Sequence, residues 1–417
     1  SVSSNLNWGQ NHWMDIIESD AKGYYAYLPA VFIYHDLNFG FFDKIEKQDY
    51  YDVNRYSDYR SQANGKVISK YYCGTALAET PFFLVAHGLS SLTGLKTDGY
   101  SKFYHILINI AGLLYLLMGL LYLNATLAGY KFKNWEISLV LFTAVFATNL
   151  FYYTACEPGM SHVYSFAFIS MFLYYVRVFF TSGQPGVIPL LALSLGMIIL
   201  IRPVNGLIIF ALPFIAGNFK SLIGGLITAA RNYKWLLTGI LIVLAITSIQ
   251  GVIYKISTGN FLVYSYQGEG FNFLNPHIAD ILFSYKKGLF LYTPIFLVSL
   301  TGCIYLWKSS RFSLLSWLAF FFLITYVFSS WWMWYYGGSF SSRVYVEFIP
   351  IFMILLAMSL HSIQKRTVKT AFVALLLALV VMCQIQTYQY RYYQIHWSDM
   401  TSEKYWEVFL RVDKLIK

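Results

Sequence analysis

Residues 187–217, VIPLLALSLGMIILIRPVNGLIIFALPFIAG, decide how the chain is folded. The run is apolar except around Arg202-Pro203-Val204-Asn205. It reads either as one kinked helix or as two short spans joined at that tetrapeptide. Charge parity separates the two readings. Other apolar runs lie at 103–130, 137–155, 163–181, 235–254, 289–307, 312–330, 345–362 and 369–388, each close to the ~20 residues that cross a bilayer. With two spans at 187–201 and 204–217, one side of the membrane receives Lys131 and Lys133, then Lys220, Arg231 and Lys234. It also receives Lys308 and Arg311, then Lys365, Arg366 and Lys369. Every short basic connection then faces the cytoplasm, as the positive-inside rule requires. A single span would break that agreement for everything after it. About ten spans are therefore expected.

The composition agrees. Hydrophobic residues make up 57% of the 417 and charged residues only 12%, against about a quarter charged in soluble domains. The mean hydropathy is +0.52 and the aromatic fraction 20%, mostly Tyr and Phe. A net charge of +10 would suit nucleic acid, but Lys and Arg are spread thinly between apolar runs and form no basic groove. Cys73, Cys156, Cys303 and Cys383 include no CxxC and no His at ligand spacing, which argues against zinc. Cys73 and Cys156 fall on one side of the membrane, where a disulfide between them is open.

Three regions follow: a polar loop domain at 1–102, a transmembrane bundle at 103–388 and an amphipathic extracytoplasmic tail at 389–417. Within the first, Thr75 to Thr93 is apolar but carries Glu79, Pro81, His87 and Gly88, which suits a helix lying in the interface. The side opposite the basic connections collects the residues with chemistry: the whole N-terminal loop, Glu157 to His162, Arg202 to Asn205, Lys255 to Gly288 and Trp331 to Arg343. The densest stretch is Glu18-Ser19-Asp20-Ala21-Lys22-Gly23-Tyr24-Tyr25-Ala26-Tyr27-Leu28-Pro29. An ionised Asp against a bilayer, held among aromatic rings, suits a general base or a cation partner. A plainer reading makes Ser19 or Asp20 a helix cap and the tyrosines interfacial anchors.

The run SDAKGYYAYLP followed by Asp36-Leu37-Asn38-Phe39 resembles the first outer loop of polytopic glycosyltransferases of the GT-C fold, in particular bacterial family-39-like members, the relatives of protein mannosyltransferases. Further similar segments follow in order: Gly65 to His87, MSHVYSF at 160–166, FSYKKGLFLYTP at 283–294 and WWMWYYGGSFSSRVYVEFIP at 331–350. The resemblance covers most of the chain. It implies an all-α polytopic membrane protein, with a GT-C-like bundle and an extracytoplasmic first-loop domain containing interfacial helices. It also implies a further transmembrane helix ahead of Ser1.

The activity so implied is inverting transfer of a sugar from a polyprenyl-phosphate donor to a lipid, glycan or protein acceptor, at the periplasmic face of a bacterial inner membrane. No obligatory cofactor or metal is expected. Asp20 matches the family's catalytic acid, with Glu18 and Asp15 in reserve, because many members carry Asp-Glu where this chain reads Asp20-Ala21. Arg202, Arg343, Lys286, Lys287 and His162 are candidates for the donor phosphate. Lys286-Lys287 also reads as a snorkelling pair, and His162 as a helix cap. Tyr24, Tyr25, Glu157, Glu269, Tyr292 and Trp334 are candidates for sugar or acceptor contacts, with Trp331, Trp332 and Trp334 otherwise an aromatic belt. The rival from another class is a lipid or glycan transporter without chemistry. It would place its polar residues along span midplanes rather than in loops and at span ends.

Overall fold

A computed structural model describes residues 2–9, 12–51 and 58–414; residues 52–57 of the charged run from Asp43 to Arg60 lie outside it. Among the described residues six helices are long and apolar enough to cross a membrane: Lys102–Gly129, Ser161–Ser182, Tyr233–Thr258, Arg311–Ser329, Arg343–Ser362 and Arg366–Arg391. Four shorter apolar helices, Asn134–Phe146, Pro185–Ile201, Pro203–Ala216 and Ile295–Ser309, fill the remaining expected positions. The chain is an all-helical, multi-pass membrane protein in its main body. Arg343–Ser362 is almost wholly buried among the other helices, apolar on most sides, with Glu347 the acidic exception within its span. Tyr233–Thr258 is mostly exposed and turns Leu237, Leu241 and Leu244 outward.

The expected span at 137–155 is broken. Its helix stops at Phe146 and a separate turn, Leu150–Ala155, follows Thr148 and Asn149. There the Thr148 hydroxyl turns back onto the Ala144 carbonyl and accepts from the Leu150 amide, which replaces continuous helical bonding. The apolar run at 289–307 is likewise segmented at Pro294 and near Gly302.

The tetrapeptide at 202–205 behaves as its sequence demands. Pro203 disfavours helical geometry in the residue before it, and Arg202 is extended at φ −149°, ψ 109°. The helix Ile188–Ile201 therefore ends there, and a 3-10 stretch, Pro203–Ala211, starts a new direction. This turn releases the Arg202 side chain at the mouth of the bundle instead of along a helix face.

The N-terminal region shares a second core with the bundle, in which Tyr25, Phe39, Tyr59 and Tyr100 cluster with Tyr104, Ile108 and Leu200. It is not purely helical. Arg60–Ala63 and Lys66–Ser69 form an antiparallel hairpin around Asn64-Gly65, both at positive φ, the signature of a two-residue hairpin turn. The short helix Asp20–Tyr25 is anchored by Lys22, which is buried and lies 3.6 Å from the centre of the Tyr51 ring. Nearby Glu46 accepts from the Tyr59 and Tyr100 hydroxyls, each at 2.6 Å. Gly159 lets this helix dock on the bundle: a Cβ there would stand 2.8 Å from the Ile16 carbonyl oxygen and 3.0 Å from the Ala21 Cβ. Gly74, which opens the helix Gly74–Thr93, is equally constrained, since its Cβ would meet the Ile201 nitrogen at 2.3 Å. Two close approaches thus bring Asp20 and Arg202 to one place.

In the C-terminal tail, Ser402–Val408 is helical and docks through Tyr405, buried against Tyr292 and bonded by the Gln386 amide at 3.1 Å. All four cysteines are free, so the pairing left open for Cys73 and Cys156 is not made.

Candidate functional site

Where the N-terminal domain meets the bundle, a cavity of about 390 Å³ is lined by Asp20, Tyr24, Tyr71, His162, Arg202 and Arg343. Its far wall is aromatic, formed by Tyr264, Tyr266, Phe271, Trp331, Trp332 and Tyr336. These residues come from six separated parts of the sequence.

Asp20 sits at the start of its short helix, with Ser19 before it at φ 55°. Ser19 makes no capping hydrogen bond, and the Asp20 carboxylate is used elsewhere. Its Oδ1 accepts from the Tyr71 hydroxyl at 2.7 Å and its Oδ2 from Arg343 Nη2 at 2.8 Å. Burial by itself raises the Asp20 carboxyl. The Arg343 guanidinium and the Tyr71 hydroxyl outweigh it, and the net position is below the ordinary carboxylate value. Asp20 is therefore an ionised carboxylate facing a cavity.

Arg343 reaches it from the loop 331–342, where Tyr336, Gly337 and Ser341 all take positive φ. Those kinks fold the loop back so that the next helix begins at Arg343 itself. One turn further, Glu347 is wholly buried. Its Oε1 accepts from Arg202 Nη1 at 2.9 Å and lies 3.0 Å from His162 Nδ1. Glu347 Oε2, His162 Nε2 and Arg343 Nε are buried without a hydrogen-bond partner among the described residues. A third pair crosses the mouth: Lys70 Nζ bonds Glu269 Oε1 at 3.0 Å, and Trp332 Nε1 reaches Glu269 Oε2 at 3.2 Å. Each cation of the lining thus has one carboxylate, while each arginine keeps donors to spare from its five.

Of the residues expected from the sequence, Asp20, Tyr24, His162, Arg202, Glu269 and Arg343 line this one cavity. The others stand apart. Glu18 and Asp15 do not line it, and Asp15 lies 3.6 Å from His12. Lys287 is buried behind the loop, where its ammonium donates to the Ser339 carbonyl oxygen; burial lowers its pKa to about 7, further depressed by Arg343. Lys286 covers the Tyr335 ring at 3.5 Å. Neither lysine reaches the cavity, because the backbone carbonyl and the ring hold them on the far side of the loop.

Tyr25 donates inside the N-terminal domain to the Gly99 carbonyl oxygen. Tyr292 donates to the Tyr285 carbonyl oxygen at 2.6 Å, and Trp334 stacks on His277. Glu157 accepts from the Tyr152 hydroxyl at 2.7 Å; burial raises it to about 7 against that bond and Arg343. It is not part of the cavity's lining.

Sequence reading missed Glu347, Tyr71 and Lys70. Glu347 had a signal: an acidic residue within an apolar run is a functional candidate by default. Tyr71 and Lys70 had none beyond their place in a quoted segment. Among the described residues no group of three or more His, Cys, Asp or Glu is placed to hold a metal ion. The arrangement sets an ionised carboxylate and two arginines with donors to spare beside a wall of aromatic rings. Comparison of the chain with protein-family models, with curated proteins and with solved structures found no match.

Proposed function

We propose that the chain is an integral membrane glycosyltransferase of GT-C type that moves a sugar from a polyprenyl-phosphate carrier to an acceptor hydroxyl on the extracytoplasmic side. The observation that carries this reading is the single cavity shared by the Asp20–Arg343 pair, Arg202 and an aromatic wall. A donor phosphate entering it competes with Asp20 for Arg343 and takes up spare donors of Arg202, which is held by Glu347, itself bonded by His162. As the phosphate draws charge from Arg343, the Asp20 carboxylate is released toward the acceptor. Asp20 then takes the hydroxyl proton while the acceptor oxygen bonds to the anomeric carbon. The carbon–oxygen bond to phosphate breaks with its electron pair, polyprenyl phosphate departs, and the anomeric centre inverts. Alignment of acceptor, sugar and leaving group within one cavity supplies the proximity such a displacement needs. The donor arrives through the membrane, so neither nucleotide nor cytoplasmic energy is required on that side.

The test is a panel of synthetic polyprenyl-phosphate sugars presented to purified protein in nanodiscs, with release of polyprenyl phosphate as readout. One donor is expected to be consumed, and Arg343→Gln or Arg202→Gln to weaken its use at least tenfold. Transbilayer movement of a lipid-linked sugar with its sugar–phosphate bond intact would instead establish the transporter reading.

A further inference from the structure

A second cavity, of about 400 Å³, opens at the end of the bundle opposite Asp20. There the helices Asn134–Phe146 and Arg366–Arg391 both begin, and the lining includes Lys133, Trp135, Ile363, Arg366, Lys369 and Val373. Beneath it Glu136 is fully buried. Its Oε1 accepts from Lys369 Nζ at 2.9 Å, and its Oε2 lies 2.9 Å from His361 Nδ1 and 3.2 Å from the Lys133 backbone nitrogen. The one carboxylate is thus spent on Lys369 and His361. Lys133 and Arg366 pair with no carboxylate among the described residues. No other source exists nearby in sequence: Glu136 is the sole acidic residue in segments 129–137, 177–188, 217–234, 308–311 and 362–369.

A solvated basic face would explain scattered lysines but not this construction. Lys369 is fixed by Glu136 and lies 5.4 Å from the centre of the Trp135 ring. Trp135 itself is 45% exposed at the start of its helix, the place where an indole marks the boundary between headgroup and acyl chain. Beyond it both helices turn apolar side chains outward, including Phe142, Leu375 and Leu377. The two helix N-termini add partial positive charge. A cationic mouth that continues into a lipid-facing apolar wall fits an amphiphile with an anionic head, and fits a free anion less well.

We propose that this cavity binds the phosphodiester headgroup of an anionic phospholipid in the leaflet facing the basic connections, with Lys133 and Arg366 as phosphate ligands and Trp135 at the acyl boundary. The site is independent of sugar transfer and of Asp20.

The test uses the full chain, stripped of lipid in detergent, and measures binding by native mass spectrometry and stabilisation by a thermal melt. Phosphatidylglycerol is expected to bind and to raise the melting temperature, and phosphatidylcholine to do neither. Lys133→Gln with Arg366→Gln is expected to weaken phosphatidylglycerol binding about thirtyfold, roughly fivefold per cationic side chain. Both side chains are exposed, so the double variant keeps its fold. A Lys220→Gln, Arg231→Gln control on the same face but outside the cavity keeps wild-type binding. Equal binding of both lipids, unchanged binding by the double variant, or full displacement of the lipid by inorganic phosphate would overturn the proposal.

Discussion

Glu347→Gln isolates the part of the site that sequence reading missed. Glu347 Oε1 is shared by Arg202 and His162 at 2.9 and 3.0 Å in a place with no solvent access. A hydrogen bond to a charged group contributes about 1.5–3 kcal/mol, and a neutral one about half that. Neutralising the acceptor therefore costs about 1 kcal/mol per bond, or about 2 kcal/mol for the two. The new amide places its NH2 where Oε2 already had no partner, so that position adds no further penalty. Arg202, 18% exposed on its side chain, recovers part of this from the cavity's water, so a net loss of about 1–2 kcal/mol is expected. Denaturant unfolding of detergent-solubilised protein, followed by tryptophan fluorescence, measures it. The same variant is expected to raise KM for the lipid-phosphate donor, because Arg202 loses the group that aims it. A stability within about 0.5 kcal/mol of wild type, with an unchanged KM, would refute the reasoning that Glu347 organises this arginine.

Tyr71→Phe removes the 2.7 Å bond to Asp20 Oδ1, and kcat/KM is expected to fall about tenfold, near 1.4 kcal/mol, in a donor-consumption assay. Glu46 tests the pH response of the N-terminal domain. Burial raises its pKa from 4.5 to about 7, so its favourable contribution is whole below about 4.5 and is lost as pH rises through about 7. Unfolding stability should drop by about 3 kcal/mol across that window, and Glu46→Gln should flatten it; a Gln variant with the wild-type slope would exclude Glu46 as the cause. Gly23→Ala puts a Cβ 2.2 Å from Tyr71 Cδ2 and 2.7 Å from Tyr59 Cβ. It should destabilise by about 1–3 kcal/mol and lower kcat by displacing Tyr71, which a melt and a kinetic assay resolve separately.

The helical segments were legible because apolar length and basic parity are properties of short windows. Arg202-Pro203 even announced its own break, since proline restricts the residue before it whatever the surroundings. The interruption at Thr148-Asn149 was not legible, because two polar residues in an apolar run read as tolerated until the Thr148 hydroxyl is seen competing for backbone bonds. The hairpin at 60–69 was lost among charged residues, although Asn64-Gly65 carried the turn chemistry. Within the site, the types of residue were readable and the pairings were not. Asp20 meets Arg343 across 323 positions, and Arg202 meets Glu347 across 145; no local pattern encodes either. Lys287 shows the converse. Two adjacent lysines at a span end suggested either a phosphate ligand or a snorkelling chain, whereas the fold turns Lys287 inward to fasten the loop that presents Arg343.

The measurement that bears most directly on the central claim is sugar transfer by Asp20→Asn beside wild type, with polyprenyl-phosphate binding recorded on the same preparations. Asn keeps the shape of the side chain and can still accept from Tyr71, but it cannot take a proton from the acceptor. The expected result is a loss of 10²-fold or more in kcat with the carrier still bound. Transfer at the wild-type rate by Asp20→Asn would contradict the assignment of Asp20 as the base.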